Sequence, residues 1–140
     1  MNAIRLFPTL GAALAIGLLA GTALAADKVT TASGLVYEST RDGQGASPQA
    51  TDTVIVHYRG TFPDGKEFDS SYSRGQPAEF PLNRVIPCWT EGVQRMKPGG
   101  KAKLTCPPAI AYGSRGAGKV IPPNATLHFE VELVGVRVSR

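Results

Sequence analysis

Few side chains in this 140-residue chain are equipped for covalent or acid–base chemistry. The two histidines, His57 and His128, each fall on the polar phase of an alternating segment, the ordinary place for an exposed or edge histidine. Ser70, His57 and Asp69 supply the residue types of a serine hydrolase, but no Gly-x-Ser-x-Gly elbow presents a nucleophile, and hydrolysis is discounted. Gly113 to Lys119 fits the first seven positions of a phosphate-binding loop, yet Val120 stands where the Mg²⁺-coordinating Ser or Thr belongs. Ile121-Pro122-Pro123 follows at once in place of the required helix, which leaves a Gly-rich surface loop. Cys88 and Cys106 lie 18 positions apart without a Cys-x-x-Cys, the spacing of neither a zinc site nor a thioredoxin-like pair. They either close a disulfide in an oxidising compartment or pack as two small buried hydrophobes. These residues call for no metal and no cofactor. What remains is aromatic bulk: Tyr58, Phe62, Phe68, Tyr72, Phe80, Trp89, Tyr112 and Phe129 either fill a core or line an apolar cavity.

The elements that position these side chains are mostly strands. Thr126 to Leu133 puts Leu127, Phe129, Val131 and Leu133 on one face and His128, Glu130 and Glu132 on the other, the pattern of a half-buried antiparallel strand. Asp52 to Arg59 alternates Val54, Val56 and Tyr58 against Ile55, His57 and Arg59. Lys101 to Cys106 sets Ala102, Leu104 and Cys106 against Lys101, Lys103 and Thr105. Leu35 to Glu38 and Glu67 to Asp69 are shorter strand candidates. Turns are expected at Asp42-Gly43, Pro63-Asp64-Gly65, Lys97 to Gly100 and Pro122 to Asn124. One segment breaks the period: Trp89, Val93 and Met96 form the stripe of a helix of about ten residues, opened by Pro87 and stopped by Pro98-Gly99-Gly100. The expected fold is α+β, a twisted antiparallel sheet of about five strands covered by one short helix.

With 42% hydrophobic and 19% charged residues the chain is of globular type, and its 16 Gly and 11 Pro require frequent turns. The first 25 residues read as a secretory signal: Arg5 without an acid, an apolar run from Leu10 to Ala20, and the cleavage pattern Ala23-Leu24-Ala25. Eleven helical residues rise only about 16 Å, short of a ~30 Å hydrocarbon core, so a membrane anchor is not expected. Residues 26–33 then form a short extension and residues 34–140 a single domain, exported across the inner membrane to the periplasm and free of the membrane after cleavage. The net charge of +4 is dispersed. Lys101 and Lys103 are the only tight basic pair on a strand-like segment, and no aromatic ladder accompanies them, so no nucleic-acid partner is expected.

Five strings narrow the choice between core and cavity. They are Val-His-Tyr-Arg-Gly at 56–60, Asp-Gly-Lys-Glu-Phe-Asp-Ser-Ser at 64–71, Val-Ile-Pro-Cys-Trp-Thr-Glu-Gly-Val at 85–93, Ala-Tyr-Gly at 111–113 and Ile-Pro-Pro-Asn-Ala-Thr-Leu-His-Phe-Glu-Val-Glu-Leu at 121–133. In this order and spacing the chain resembles, from about Gly34 to Val136, the FK506-binding-protein (FKBP) family of peptidyl-prolyl cis/trans isomerases. The resemblance implies a twisted antiparallel sheet wrapped around a short helix, with an apolar pocket between them. It implies catalysis by Tyr58, Phe68, Asp69, Ile86, Trp89, Tyr112 and Phe129, with substrate contacts from Phe80, Val85, Ile121 and Val120. Trp89 would be the floor, and the Ile86 N–H and Tyr112 hydroxyl would meet substrate carbonyls. Partners would be proline-containing unfolded or partly folded polypeptides and tacrolimus- or rapamycin-like macrolides. The alternative is a non-catalytic module or chaperone that grips proline segments.

Three places depart from the family's common pattern: Pro87-Cys88 before the Trp, Ile110 where many members carry Tyr, and a loop from Ser114 to Lys119 without a bulky residue. The first sets Cys88 at the start of the helix while strand phase points Cys106 into the core, so a bridge from helix to sheet is compatible with the implied fold. Some exported members carry a helical dimerisation domain ahead of the isomerase. Residues 26–33 are too short for one, and a monomer is expected.

Overall fold

The computed structural model describes residues 27–139; the expected signal at 1–25 lies outside the described residues, as do Ala26 and Arg140. One antiparallel sheet of seven strands dominates: β1 (Asp27–Thr30), β2 (Val36–Arg41), β3 (Thr53–Thr61), β4 (Glu67–Ser70), β5 (Ala78–Pro81), β6 (Lys101–Cys106) and β7 (Leu127–Arg137). Their order is β1-β2-β6-β7-β3-β4, with β5 also paired to β3. Two α-helices are present among the described residues, the single turn α1 (Ser71–Arg74) and α2 (Pro87–Val93). None is long and apolar enough to cross a membrane.

The alternation read from the sequence sets the core. Val54, Val56 and Tyr58 of β3, Leu127, Phe129, Val131 and Leu133 of β7, and Ala102, Leu104 and Cys106 of β6 are all buried. They form one cluster with Cys88, Trp89 and Val93 of α2 and with Met96 beyond its end. Each fully buried Leu or Val here contributes about 1.5–3 kcal/mol of apolar burial, so helix and sheet are bound mainly by this face.

Where the structure departs from the sequence expectation, the cause is local. The sheet has seven strands rather than about five: β1 carries no apolar alternation, and β5 alternates Ala78 and Phe80 with Glu79 and Pro81 over only four residues, too short a run to mark a strand. β1 is an edge whose Lys28, Val29 and Thr30 are exposed, and β5 ends in Pro81 on the open side of β3. β7 continues past Leu133 because Val56 pairs with Leu133 and Ile55 with Gly135, leaving Val134 as an extra, exposed residue that breaks the period. α2 spans seven residues rather than ten. Tighter bonds from Arg95 N to Gly92 O and from Met96 N to Val93 O end it while keeping Met96 on the buried stripe.

Four features fix α2 on the sheet. Pro87 occupies its first turn, and the Ile86 carbonyl accepts from Trp89 N at 2.9 Å and Thr90 N at 3.1 Å. Thr90 Oγ1 donates to the Leu82 carbonyl at 2.7 Å. Gly92 permits close approach, since a Cβ there would stand 3.0 Å from Leu104 Cδ2. Finally, Cys88 and Cys106 form a disulfide with Cα atoms 5.7 Å apart, joining the first turn of α2 to the end of β6.

Closing a loop of this length stabilises a chain by about 3 kcal/mol in the entropic account. Guanidinium unfolding with and without reductant is expected to differ by that amount. In air-oxidised native protein no thiol should react, and two titratable thiols would contradict the bridge.

Candidate active site

β3 delivers Tyr58 to the inner face, and β7 places Phe129 opposite Gly60, which on its other side pairs with Asp69 of β4. Gly60 is required by its neighbours: a Cβ at this position would lie 2.6 Å from Phe68 Cζ and 2.9 Å from Phe129 Cε1. The missing side chain lets the Phe68 and Phe129 rings meet edge to face at 5.7 Å over β3. Phe62 packs behind Phe68 at 4.9 Å. β5 adds Phe80, and α2 with the residues before it adds Val85, Ile86 and Trp89.

Together these residues enclose a cleft of about 450 Å³, lined by Tyr58, Phe68, Asp69, Phe80, Arg84, Val85, Ile86, Trp89, Tyr112 and Phe129. Trp89 is its base. The indole meets the rings of Tyr58, Phe80 and Phe129 edge to face, with centroids 5.2, 5.6 and 5.4 Å away. Its buried Nε1–H has no acceptor among the described residues, so ring packing rather than a hydrogen bond holds it.

One side of the cleft is polar. The Tyr58 hydroxyl donates to Asp69 Oδ2 at 2.6 Å, Arg74 donates to Asp69 Oδ1 and to the Tyr58 hydroxyl, both at 2.9 Å, and Ser70 N donates to Asp69 Oδ1 at 2.9 Å. α1 makes this possible: Ser70 caps it by accepting from Tyr72 N and Ser73 N, and Gly75, at φ 75°, ends it in the left-handed conformation. Arg74 is thereby turned back over Tyr58, its guanidinium 5.8 Å from the ring centre. Desolvation alone would raise the Asp69 carboxyl. The bonds from Tyr58 and Arg74, the Arg74 charge and the Ser70 N–H outweigh it and hold the carboxyl below its usual 3.8. Burial, then the bond to Asp69, pushes the Tyr58 hydroxyl up, and burial with the Asp69 charge does the same to Tyr112. The Tyr112 hydroxyl and the Ile86 N–H donate to no group among the described residues and remain available to an occupant.

The structure thus brings together Tyr58, Phe68, Asp69, Phe80, Val85, Ile86, Trp89, Tyr112 and Phe129. It leaves two residues outside the lining. Ile121 is buried and tied to Ala117 by an isolated bridge, and Val120 is 56% exposed on the neighbouring loop. Cys88 and Cys106 are bonded behind the base rather than in the cleft. Sequence reasoning missed Arg84, Arg74 and Gly60. For Arg74 a signal existed, since a Ser cap followed five positions later by Gly brackets one helical turn. For Arg84 and Gly60 only the three-dimensional neighbours reveal the placement. His57 lies elsewhere, with Nδ1 2.9 Å from Ser71 Oγ and its ring stacked on Tyr72 at 4.7 Å, so the residues of the imagined hydrolase do not form a nucleophilic site.

An antiparallel sheet packed on a short helix, with an aromatic cleft at the helix start, defines an FKBP-type domain. Residues 44–134 match the model of the family described as FKBP-type peptidyl-prolyl cis-trans isomerase, and the chain belongs to this family. It is similar to the FKBP-type peptidyl-prolyl cis-trans isomerase FkpA of Escherichia coli K12, with 54% identity over 108 residues, which are 77% of this chain and 40% of that protein. The chain therefore spans about 40% of the length of this curated relative. The crystal structure of Escherichia coli FkpA superposes with a TM-score of 0.79 at 48% identity, covering 89% of this chain and 58% of that one. A peptidyl-prolyl cis-trans isomerase from Pseudomonas syringae superposes with a TM-score of 0.74 at 39% identity, covering 86% and 89%.

Two variants probe this geometry. Because Asp69 is more acidic folded than unfolded, its charge stabilises the native state above the unfolded value and ceases to do so as pH falls through the folded one. Asp69→Asn is expected to melt below wild type at neutral pH, with the gap closing once pH drops below about 3.8. Melting curves at a series of pH values measure this, and a gap constant with pH would contradict it. Gly60→Ala should cost about 1–3 kcal/mol by overpacking and part the Phe68 and Phe129 walls. Fluorescence of the single tryptophan, titrated with a proline peptide, should report weaker binding.

Proposed function

We propose that this chain accelerates cis/trans rotation of X-Pro bonds in exported polypeptides, without a covalent intermediate. The observation that carries this reading is an open aromatic cleft over Trp89, with two uncommitted hydrogen-bond donors at its wall. The X-Pro barrier of roughly 18–20 kcal/mol is the loss of amide resonance, and crossing it requires no bond to another group. A planar amide is more dipolar than a twisted one. Transfer from water into the box of Tyr58, Phe68, Phe80, Trp89 and Phe129 therefore raises the planar state relative to the transition state.

Shape adds discrimination. The proline ring seats on Trp89, and the preceding carbonyl reaches the Ile86 N–H or the Tyr112 hydroxyl only when rotated, so the twisted amide is held better than either planar isomer. Asp69, kept ionised by Tyr58 and Arg74, faces the electron-poor side of the twisted group. Tacrolimus- or rapamycin-like macrolides would compete for the same cleft. The disulfide supports export to an oxidising compartment such as the periplasm, where such bonds persist.

The test is cis-to-trans exchange of an Ala-Leu-Pro-Phe peptide. Wild-type protein is expected to accelerate it, while Phe68→Tyr and Asp69→Val each lower kcat/KM by about tenfold, roughly 1.4 kcal/mol of transition-state stabilisation. Absence of acceleration by folded wild-type protein leaves a proline-binding module, and wild-type rates in both variants would remove the assigned roles.

A further inference from the structure

A second cleft, of about 300 Å³, opens where the chain leaves α2, between the end of β2 and the turn at 97–100. It lies beyond the opposite end of the helix from Ile86, roughly 10 Å along the helical path from Trp89. Its character is the reverse of the first. Arg41, Arg95, Lys97 and Lys101 line it, with Asp42 as the acid among its lining residues.

These groups are not equally committed. Arg41 is held by Glu132 at 3.1 Å and by the Gly99 carbonyl at 2.9 Å, and Asp42 accepts from Ser39 Oγ at 3.1 Å. Lys97, Lys101 and Arg95 have no ion-pair partner among the described residues. The guanidinium of Arg95 sits 5.8 Å from the centre of the Tyr37 ring. Tyr37 is only 8% exposed and lines the same cleft, and its hydroxyl makes no hydrogen bond among the described residues. Burial raises this hydroxyl's pKa while Arg95 opposes, so it remains a proton donor. The negative end of α2 accounts for cations at Arg95 and Lys97. Lys101 stands opposite Glu132 of β7 without an ion pair to it, and the helix end does not account for the Tyr37 hydroxyl, which is unpartnered among the described residues at the end of a buried side chain.

We propose that this cleft binds a carboxylate of an acidic polypeptide segment, with the Tyr37 hydroxyl and the Arg95 guanidinium donating to its oxygens and Lys97 and Lys101 flanking it. A guanidinium fork matches a planar carboxylate. Asp42 within the lining repels a phosphate dianion more than a single carboxylate, which favours the peptide source of the anion. The site would give the domain a hold on acidic chains independent of proline.

The probe is a proline-free Glu-Gly repeat peptide, followed by amide NMR, with a Gln-Gly peptide and inorganic phosphate as the other arms. The Glu peptide is expected to move the amides of Tyr37, Gly43 and Arg95, to leave Ile86 and Trp89 in place, and to bind more weakly as salt is added. Lys97→Glu combined with Lys101→Glu should weaken it by more than roughly tenfold. Tyr37→Phe, which alters no charge, should weaken it about three- to tenfold. Equal affinity of Tyr37→Phe and wild type would reduce the cleft to diffuse charge and overturn the site, as would equal binding of the Gln peptide. Phosphate binding more tightly than the Glu peptide would overturn the carboxylate assignment. Lacking proline, the probe gives an answer that stands apart from the isomerase reading.

Discussion

The edge-to-face packing of one indole against rings from three strands is the constraint on which the cleft depends. Trp89 belongs to α2, but the three rings around it come from β3, β5 and β7. The cleft therefore exists only when helix and strands are already in register. Three such pairs contribute about 0.5–1.5 kcal/mol each beyond area burial, and an indole N–H buried without an acceptor costs about 1–3 kcal/mol. The two nearly offset. The rings orient the indole, and the helix that carries it is held by the disulfide, the Thr90 bond to Leu82, the Gly92 contact with Leu104 and the buried face of β6 and β7. The net effect is a flat apolar surface at the bottom of an open cleft.

The polar wall follows a different logic. Arg74 and Asp69 side chains are 50% and 41% exposed, so solvent screens their attraction and the ion pair adds little to stability. Its consequence is orientation. Three donors converge on the Asp69 carboxylate, and with both partners of Tyr58 fixed, the phenol has one way to point. A single helical turn between Ser70 and Gly75 suffices for this, because it needs only to return one guanidinium to the strand it has just left.

Strand phase is legible in β3, β6 and β7 because one face of each is buried and the period is two, so the residue pattern alone sets Tyr58, Leu104 and Phe129 inward. The helix stripe is legible for the same reason at period 3.6. Periodicity reports which face is buried and not which buried residues border an opening. Ile121 and Phe129 are both apolar and both buried, yet only Phe129 reaches the cleft. The family strings supplied that second kind of information for the aromatic walls. They contain Gly60 without its role, which is an absence of atoms, and they do not reach Arg84, which no local pattern marks. β1 has no alternation to display because Lys28, Val29 and Thr30 are exposed on both faces, and the alternation of β5 spans only four residues and ends in a proline, too little to mark a strand.

The protonation states of the cleft bear on what it can do. Asp69 is held ionised by its three donors, and Tyr58 and Tyr112 are held protonated by burial and by Asp69. None of these three changes state near neutral pH, so none is poised to shuttle a proton in the way general acid–base catalysis requires. For a hydrolase this would be a defect. For rotation about an amide it is suited to the task, because the barrier is lost resonance and every atom keeps its bonds. What such a reaction needs is a surface that excludes water, a fixed dipole on one side and donors placed for a carbonyl out of plane. In the proposed rotation, an unchanging charge pattern on a preformed aromatic base would meet those needs together, without reorganisation as the amide turns.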